Sequence, residues 1–198
     1  MMSYAITRQI RPEVERETLC LAIAGDTCPR GTAAPEISAG RSGKILEQVK
    51  PFLDGADLRL VQWETPVTDS DTPIIKSGPN IRCAPDSVKL LQAGRFDIAL
   101  LANNHIGDYG PEAVLETLER LHAAGLQTVG AGGNLAEARH PLRLEKNGIS
   151  LSIINIAEHE FGTATPDTPG SNPLDVAPIL LQIARERRAG SIVLVVSH

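Results

Sequence analysis

Residues 96–110 have the sequence FDIALLANNHIGDYG, which combines a structural signal with a chemical one. Residues 97–102 are nearly all apolar, which is typical of a strand in a sheet that is covered on both faces. A polar turn follows, and then residues 111–124 begin with Pro and end before Gly125, which are ordinary start and stop signals of a helix. Strand, polar turn and helix in this order predict one unit of an α/β fold with parallel strands.

The same pattern extends in both directions along the chain. Short apolar runs that end at turn residues predict further strands at 19–24, 58–63, 81–84, 126–129, 142–145, 150–157 and 191–197. Helical spacing of apolar residues, or a capping residue, predicts further helices at 44–53, 86–93, 134–139 and 175–188. Segments rich in Gly, Pro, Ser and Thr predict loops at 27–43, 64–80 and 158–173. The sequence Lys-Asn-Gly at 146–148 predicts a β-hairpin, so we expect a largely parallel sheet with one hairpin added.

Composition narrows the class of protein. The 198 residues suit one domain with a buried core, and residues 1–17 are polar enough to predict an irregular lead-in. A net charge of −5 and 3% aromatic residues argue against a nucleic-acid partner. The chain has no apolar run near the roughly 20 residues of a membrane helix and no signal-peptide pattern, which predicts no membrane segment and a cytoplasmic location. Three cysteines without a Cys-x-x-Cys spacing predict free thiols.

Polar residues follow four of the predicted strands at the same end. These residues are Asp26, Glu64, the pair Asn104 and His105, and His198. Because ligands of such sheets bind outside the carboxyl ends of the strands, we expect these side chains to converge. Oxygen and imidazole ligands suit Mn, Fe, Zn or Mg, and two such ions that share a carboxylate would activate water and hold a phosphoester oxygen. His105 would then be available to protonate a leaving group.

Other residues near these strand ends leave alternatives open. Each strand-end residue taken alone is more often a turn or helix cap than a ligand. Glu158 and His159 also follow a predicted strand, and they fit a site loop as well as a solvated loop. Cys28 is two residues from Asp26, and we interpret it as a buried thiol because no neighbour in sequence would favour a thiolate. Residues 130–133 (GAGG) lack the Lys-Ser/Thr of a phosphate-binding loop and predict only a tight turn.

Several of these motifs together resemble the bacterial CapA family of capsule or poly-γ-glutamate synthesis proteins. The likeness rests on FDIALLANNHIGDYG, on residues 121–158 (LHAAGLQTVGAGGNLAEARHPLRLEKNGISLSIINIAE), on WETPVT at 63–68 and on AGD at 24–26. It runs from about residue 18 to the end of the chain. The family is similar in fold to the calcineurin-like metallophosphoesterases, so the resemblance implies an α/β sandwich of two sheets flanked by helices.

The resemblance also implies roles for individual residues. Asp26, Glu64, Asn104 and His198 match positions of metal ligands, and His105 matches the catalytic histidine beside the metal-binding Asn. The side chains expected to support the site or contact substrate are Asn103, Asp108, Glu158 and His159. The chain departs from the superfamily at Cys28, where a His is usual, and at Glu64, where a bridging Asp is usual.

Two functions on this fold follow as expectations. The first is a metal-dependent hydrolase with a site for two divalent ions, which acts on a phosphoester or on an amide-linked polymer such as poly-γ-glutamate. The second is a non-catalytic protein that binds the polymer or a synthase partner. Family members continue beyond the strand that ends at His198, where a further His motif completes the site, and many are membrane-associated or exported. We therefore expect residues 18–198 to be the N-terminal part of a domain that is incomplete at its C-terminus.

Overall fold

The computed structural model describes residues 18–198, and the predicted lead-in at 1–17 lies outside the described residues. The strands are β1 (Leu21–Thr27), β2 (Leu58–Trp63), β3 (Ile98–Leu100), β4 (Gln127–Val129), β5 (Ala131–Gly132), β6 (Leu142–Lys146), β7 (Ile149–Ile156), β8 (Gly170–Ser171) and β9 (Ile192–Ser197). The helices are α1 (Ala33–Ser38), α2 (Ser42–Ile45), α3 (Lys50–Asp54), α4 (Val88–Ala93), α5 (Gly110–Ala123), α6 (Leu135–Ala138) and α7 (Val176–Arg188).

Two main sheets carry the fold. The first has the order β1-β2-β3-β4 and all of its strands are parallel, as the alternation of strands and helices predicts. The second has the order β6-β7-β9, with β6 and β7 joined as the predicted hairpin and β9 parallel to β7. Asn147 and Gly148 have φ angles of 51° and 72° at the hairpin turn, and this left-handed backbone is the reason that Asn-Gly favours such turns.

The two sheets pack face to face, and helices cover their outer faces. Leu60, Leu100 and Ile153 belong to the apolar layer between the sheets. Val61 and Leu101 point the other way and pack with residues of α5 in a second apolar layer. On the far side of the second sheet, residues of β7 pack against α7. This arrangement confirms the expected α/β sandwich flanked by helices, because alternate residues of each strand face opposite layers.

A buried polar bridge joins the two sheets below the ends of their strands. Gln62 of β2 donates from Nε2 to the carbonyl oxygen of Ala102 at 2.9 Å. Asn155 of β7 accepts from the backbone N of Ala102 at 2.6 Å, and its Nδ2 donates to Gln62 Oε1 at 3.2 Å. A Cβ atom on Gly130 would lie 2.2 Å from Asn155 Oδ1, so only glycine leaves room for this bridge.

Three local predictions were wrong. The segment 27–43 contains α1 and the start of α2 rather than a loop, because the fully buried Ile37 anchors a short helix that composition does not reveal. The predicted helix at 44–53 is divided into α2 and α3, since Pro51 is tolerated only in the first turn of a helix. The predicted strand at 81–84 is a single bridge between Val67 and Cys83.

Smaller differences concern the loops after β4 and β7. The predicted turn at 130–133 and the predicted loop at 158–173 each contain a two-residue strand, and these strands, β5 and β8, pair with each other. The helix predicted at 134–139 is present as α6, and Asn134 accepts a hydrogen bond from the backbone N of Glu137 as its cap. None of the helices in the described part of the chain is long and apolar enough to cross a membrane.

A buried carboxylate attaches α7 to the second sheet. Glu186 of α7 is 1% exposed, and Arg143 of β6 donates to its two oxygens at 2.5 and 2.6 Å. Arg185 Nε donates at 3.1 Å and Ser152 Oγ at 3.3 Å. The hydrogen bonds from Arg143, aided by Arg185, lower the pKa of Glu186 from 4.5 to about 2. The ionised carboxylate therefore stabilises the folded state.

We predict that Glu186→Gln destabilises the chain by about 3 kcal/mol at pH 7. Since the pKa of Glu186 is lowered by folding, its contribution is complete above about pH 4.5 and disappears as the pH falls toward 2. Urea unfolding of both forms at several pH values measures this difference. The matched control is Glu119→Gln, which removes an exposed carboxylate of α5. A pH-independent difference between wild type and Glu186→Gln would contradict the prediction.

Candidate metal centre

Three predicted ligands meet at one edge of the sandwich. Asp26, Glu64 and His198 each place one ligand atom within 4.8 Å of the others. His198 Nε2 is 3.4 Å from Glu64 Oε1 and 3.6 Å from Asp26 Oδ1. The side chains of Glu64 and His198 are 23% and 14% exposed, whereas that of Asp26 is 56% exposed. Two carboxylates and an imidazole at these distances leave space for one cation between them.

A β-bulge directs Asp26 toward this group. In an unbroken strand, Asp26 would face the same side as Ala24, which packs on the helical side of the first sheet. The register between β1 and β2 shifts between these two residues, so that Ala24 pairs with Val61 and Asp26 with Gln62. Asp26 therefore faces the layer between the sheets, as Gln62 does.

Glu64 and His198 reach the same layer by ordinary alternation. Glu64 lies two residues after Gln62, and its backbone N continues the ladder by donating to the Thr27 carbonyl at 3.1 Å. His198 lies two residues after Val196, whose side chain packs between the sheets. The sequence pattern predicts that all four strands belong to one parallel sheet. This prediction is wrong for β9, which ends before His198 and belongs to the second sheet. The candidate site thus joins two sheets.

The two asparagines after β3 have different surroundings. Asn103 is fully buried, donates from Nδ2 to the Trp63 carbonyl at 2.9 Å, and accepts from the backbone N of His105 at 3.0 Å. It ties the end of β2 to the turn after β3. Asn104 Nδ2 donates to Glu160 Oε2 at 2.9 Å, while Asn104 Oδ1 is buried without a hydrogen-bond partner. An unpartnered amide oxygen is suited to bind a cation.

His105 lies beside the group and is held from behind. Its Nε2 atom is 4.0 Å from Glu64 Oε1, and its Nδ1 atom is 2.8 Å from Asp108 Oδ2. The fully buried Asp108 also accepts from the backbone N of Ile81 at 2.7 Å. The Asp108 carboxylate therefore orients the imidazole so that Nε2 faces the carboxylates of the site.

Lys76 completes this arrangement, although sequence reasoning did not select it. Its side chain is 2% exposed and forms an ion pair with Asp108. The Nζ atom lies 3.3 Å from His105 Nδ1 and 5.3 Å from the centre of the Phe161 ring. Lys76 is a single basic residue in the predicted loop 64–80, and no sequence signal distinguishes it from a solvated lysine.

The remaining candidates lie outside the group of three ligands. Glu158 is exposed, and His159 Nε2 is 2.9 Å from Asp175 Oδ1. In the same segment, it is Glu160 that reaches the site, through Asn104. Burial raises the pKa of the Cys28 thiol, which favours the protonated thiol that we expected over a metal-binding thiolate.

The likeness to a solved structure shows that this two-sheet sandwich flanked by helices is a metallophosphoesterase-type fold. The NAD nucleotidase of Haemophilus influenzae has the same fold, with a TM-score of 0.53 and 15% identity over 91% of this chain and 34% of that one. Residues 20–198 match the family described as bacterial capsule synthesis protein PGA_cap. The chain belongs to this family, which is the CapA-like family of capsule and poly-γ-glutamate biosynthesis proteins.

Two curated relatives are similar over most of the chain. The capsule biosynthesis protein CapA of Bacillus anthracis is 26% identical over 178 residues, which are 87% of this chain and 43% of that protein. The PGA biosynthesis protein CapA of Bacillus subtilis is 28% identical over 163 residues, which are 78% of this chain and 42% of that protein. The chain thus spans less than half the length of these relatives.

We predict that Lys76→Met destabilises the chain by about 3 kcal/mol, because it leaves the buried Asp108 carboxylate without its ammonium partner. Urea unfolding at pH 7 measures the effect. Lys89→Met is the matched control, since Lys89 pairs with Asp86 on the surface, where both side chains are about half exposed. That pair contributes less than about 1 kcal/mol. Equal losses in the two variants would contradict the role assigned to Lys76.

Proposed function

We propose that Asp26, Glu64, Asn104 and His198 hold at least one divalent metal ion, and that the chain carries the metal site of a hydrolase. The observation that carries this proposal is the group formed by Asp26, Glu64 and His198 within 4.8 Å. The substrate class is a phosphoester or an amide-linked polymer such as poly-γ-glutamate. That two ions bind is a prediction.

The residues present fit a hard or borderline cation. Two carboxylates would otherwise repel each other, and the unpartnered Asn104 Oδ1 supplies a further oxygen. No thiolate is needed, which suits Mn, Fe, Zn or Mg. The Asn104 Nδ2 atom donates a hydrogen bond to a carboxylate oxygen of Glu160. Because a carboxylate can only accept, this contact fixes the amide so that Oδ1 is the atom available to a cation.

The chain's own groups then define the chemistry. A divalent ion held by Asp26, Glu64, Asn104 and His198 would act as a Lewis acid toward the oxygen of the scissile group. His105 transfers a proton at Nε2, which faces the site, to the leaving group. Asp108 keeps the ring in that orientation through Nδ1, and the ion pair with Lys76 holds the Asp108 carboxylate in place. The alternative is a non-catalytic protein that binds the polymer or a synthase partner. Binding alone does not need an oriented imidazole, so the orientation of His105 favours hydrolysis.

We predict that Mn²⁺ or Zn²⁺ at about 100 times its dissociation constant raises the melting temperature by roughly 5–10 °C, measured by calorimetry against an EDTA sample. Asp26→Ala and Asn104→Ala remove most of this shift, because each deletes a ligand. His122→Ala is the control, since His122 is exposed and its side chain hydrogen-bonds to Thr128 rather than to a ligand of the proposed site. The proposal fails if the wild-type chain shows no metal-dependent shift.

We predict that His105→Gln lowers metal-dependent hydrolysis by about 10²–10⁴-fold while the metal-induced rise in melting temperature is retained. The probes are bis(p-nitrophenyl) phosphate for a phosphoester and penta-γ-glutamate for an amide. Turnover of only one probe identifies the bond type. Metal binding without turnover of either probe would support the non-catalytic alternative.

A further inference from the structure

We propose that Glu160 is a positioning residue of the metal centre, and that the segment 160–162 sets the affinity of the site for its cation without supplying a ligand. Glu160 is exposed and lies outside the group of three ligands defined above. The inference rests on the proposed function in one respect, which is that Asn104 Oδ1 binds the ion. It adds that a residue 56 positions away in sequence decides whether this oxygen is presented.

The Asn104 amide has two orientations, and one contact selects between them. Nδ2 donates to Glu160 Oε2 at 2.9 Å, and Oδ1 is buried with no hydrogen-bond partner among the described residues. If the amide were turned by 180°, its oxygen would meet the carboxylate and its NH₂ group would take the place of Oδ1. That group donates hydrogen bonds and would repel a cation. The Glu160 carboxylate only accepts, so it excludes the turned orientation.

The backbone that follows Glu160 is fixed against the turn after β3. A Cβ atom on Gly162 would lie 2.8 Å from the Cα and N atoms of Gly107, and one on Gly107 would lie 2.4 Å from Gly162 Cα. So close an approach of two backbones needs glycine on both sides. The same turn carries Asn104. The contact between the two glycines therefore fixes the position of the Glu160 carboxylate relative to the amide that it orients.

The segment 160–162 is also held from its other side. Ser171 of β8 donates to the Gly162 carbonyl, from its backbone N at 2.7 Å and from Oγ at 3.3 Å. The centre of the Phe161 ring lies 5.3 Å from Lys76 Nζ, which is a cation–π distance. Since the loop is fixed on both sides, the hydrogen bond to the amide requires ordering of the Glu160 side chain alone.

Isothermal titration with Mn²⁺ of the wild-type chain, Glu160→Met and Glu160→Gln tests the proposal. Both variants remove the charge, but Gln keeps an oxygen that accepts from Asn104 Nδ2. We expect Glu160→Met to weaken Mn²⁺ binding by about 10–100-fold, as loss of a residue that orients a ligand does, and Glu160→Gln by less than about threefold. The matched control is Asp167→Asn, which removes an exposed carboxylate of the same loop and should stay within about twofold.

A double-mutant cycle separates positioning from a general effect on the fold. Because Glu160 acts through the Asn104 amide, Glu160→Met should cause no further loss of Mn²⁺ affinity in the Asn104→Ala chain. The melting temperature of Glu160→Met in EDTA should stay within about 2 °C of wild type, since the side chain is exposed.

Gly162→Ala tests the backbone contact. The added Cβ displaces the segment from Gly107, so we expect a loss of about tenfold in Mn²⁺ affinity. Gly190→Ala is the control, since Gly190 also has a positive φ, 92°, but no described atom lies within 4 Å of its added Cβ. Its Mn²⁺ affinity should stay within about twofold.

Several outcomes would overturn the proposal. These are equal Mn²⁺ affinity of wild type and Glu160→Met, equal losses in the Met and Gln variants, which would assign the effect to charge, and additive losses in the cycle. A second measurement needs no metal: the NMR signal of the Asn104 side-chain amide in EDTA should shift in Glu160→Met, and an unchanged signal refutes the positioning role. If the wild-type chain binds no Mn²⁺, the metal proposal fails, and this signal still decides whether Glu160 holds the amide.

Discussion

The hydrogen-bonded contact between Gln62 and Asn155 is the constraint on which the arrangement of the site depends. It joins the two sheets within an otherwise apolar layer, and Asn155 also donates to the Val196 carbonyl at 3.2 Å. The bridge therefore sets the distance between β2, which ends before Glu64, and β9, which ends before His198. Without that fixed distance, the carboxylates of one sheet and the imidazole of the other would not form one group. The absence of a side chain at Gly130 is a condition for this contact.

Much of the fold could be predicted because it depends on local pattern. The apolar run before Asn103, the Asn-Gly turn at 147–148 and the cap at Asn134 are local features, and each has the predicted structure. Short helices such as α1 could not be predicted, because one buried side chain, Ile37, holds a segment whose composition favours a loop.

The sequence predicted which residues form the candidate site better than it predicted how they are arranged. Strand direction alone is enough to predict which polar residues follow the strand ends. It therefore selected Asp26, Glu64 and His198 as candidates. That Asp26 faces the other sheet depends on a bulge, which alternation in the sequence does not show. Lys76 and Glu160 act through tertiary contacts with Asp108 and Asn104, and their sequence neighbourhoods indicate only loops.

The central claim is that side chains from two sheets hold one metal site. A crystal structure of the chain grown with Mn²⁺, with anomalous data collected near the Mn absorption edge, tests it most directly. The account predicts an anomalous peak within bonding distance of Asp26, Glu64 and His198, with Asn104 Oδ1 turned toward it. An anomalous peak at another site would contradict it. So would the absence of a peak in crystals of a chain that is fully occupied by Mn²⁺ in solution.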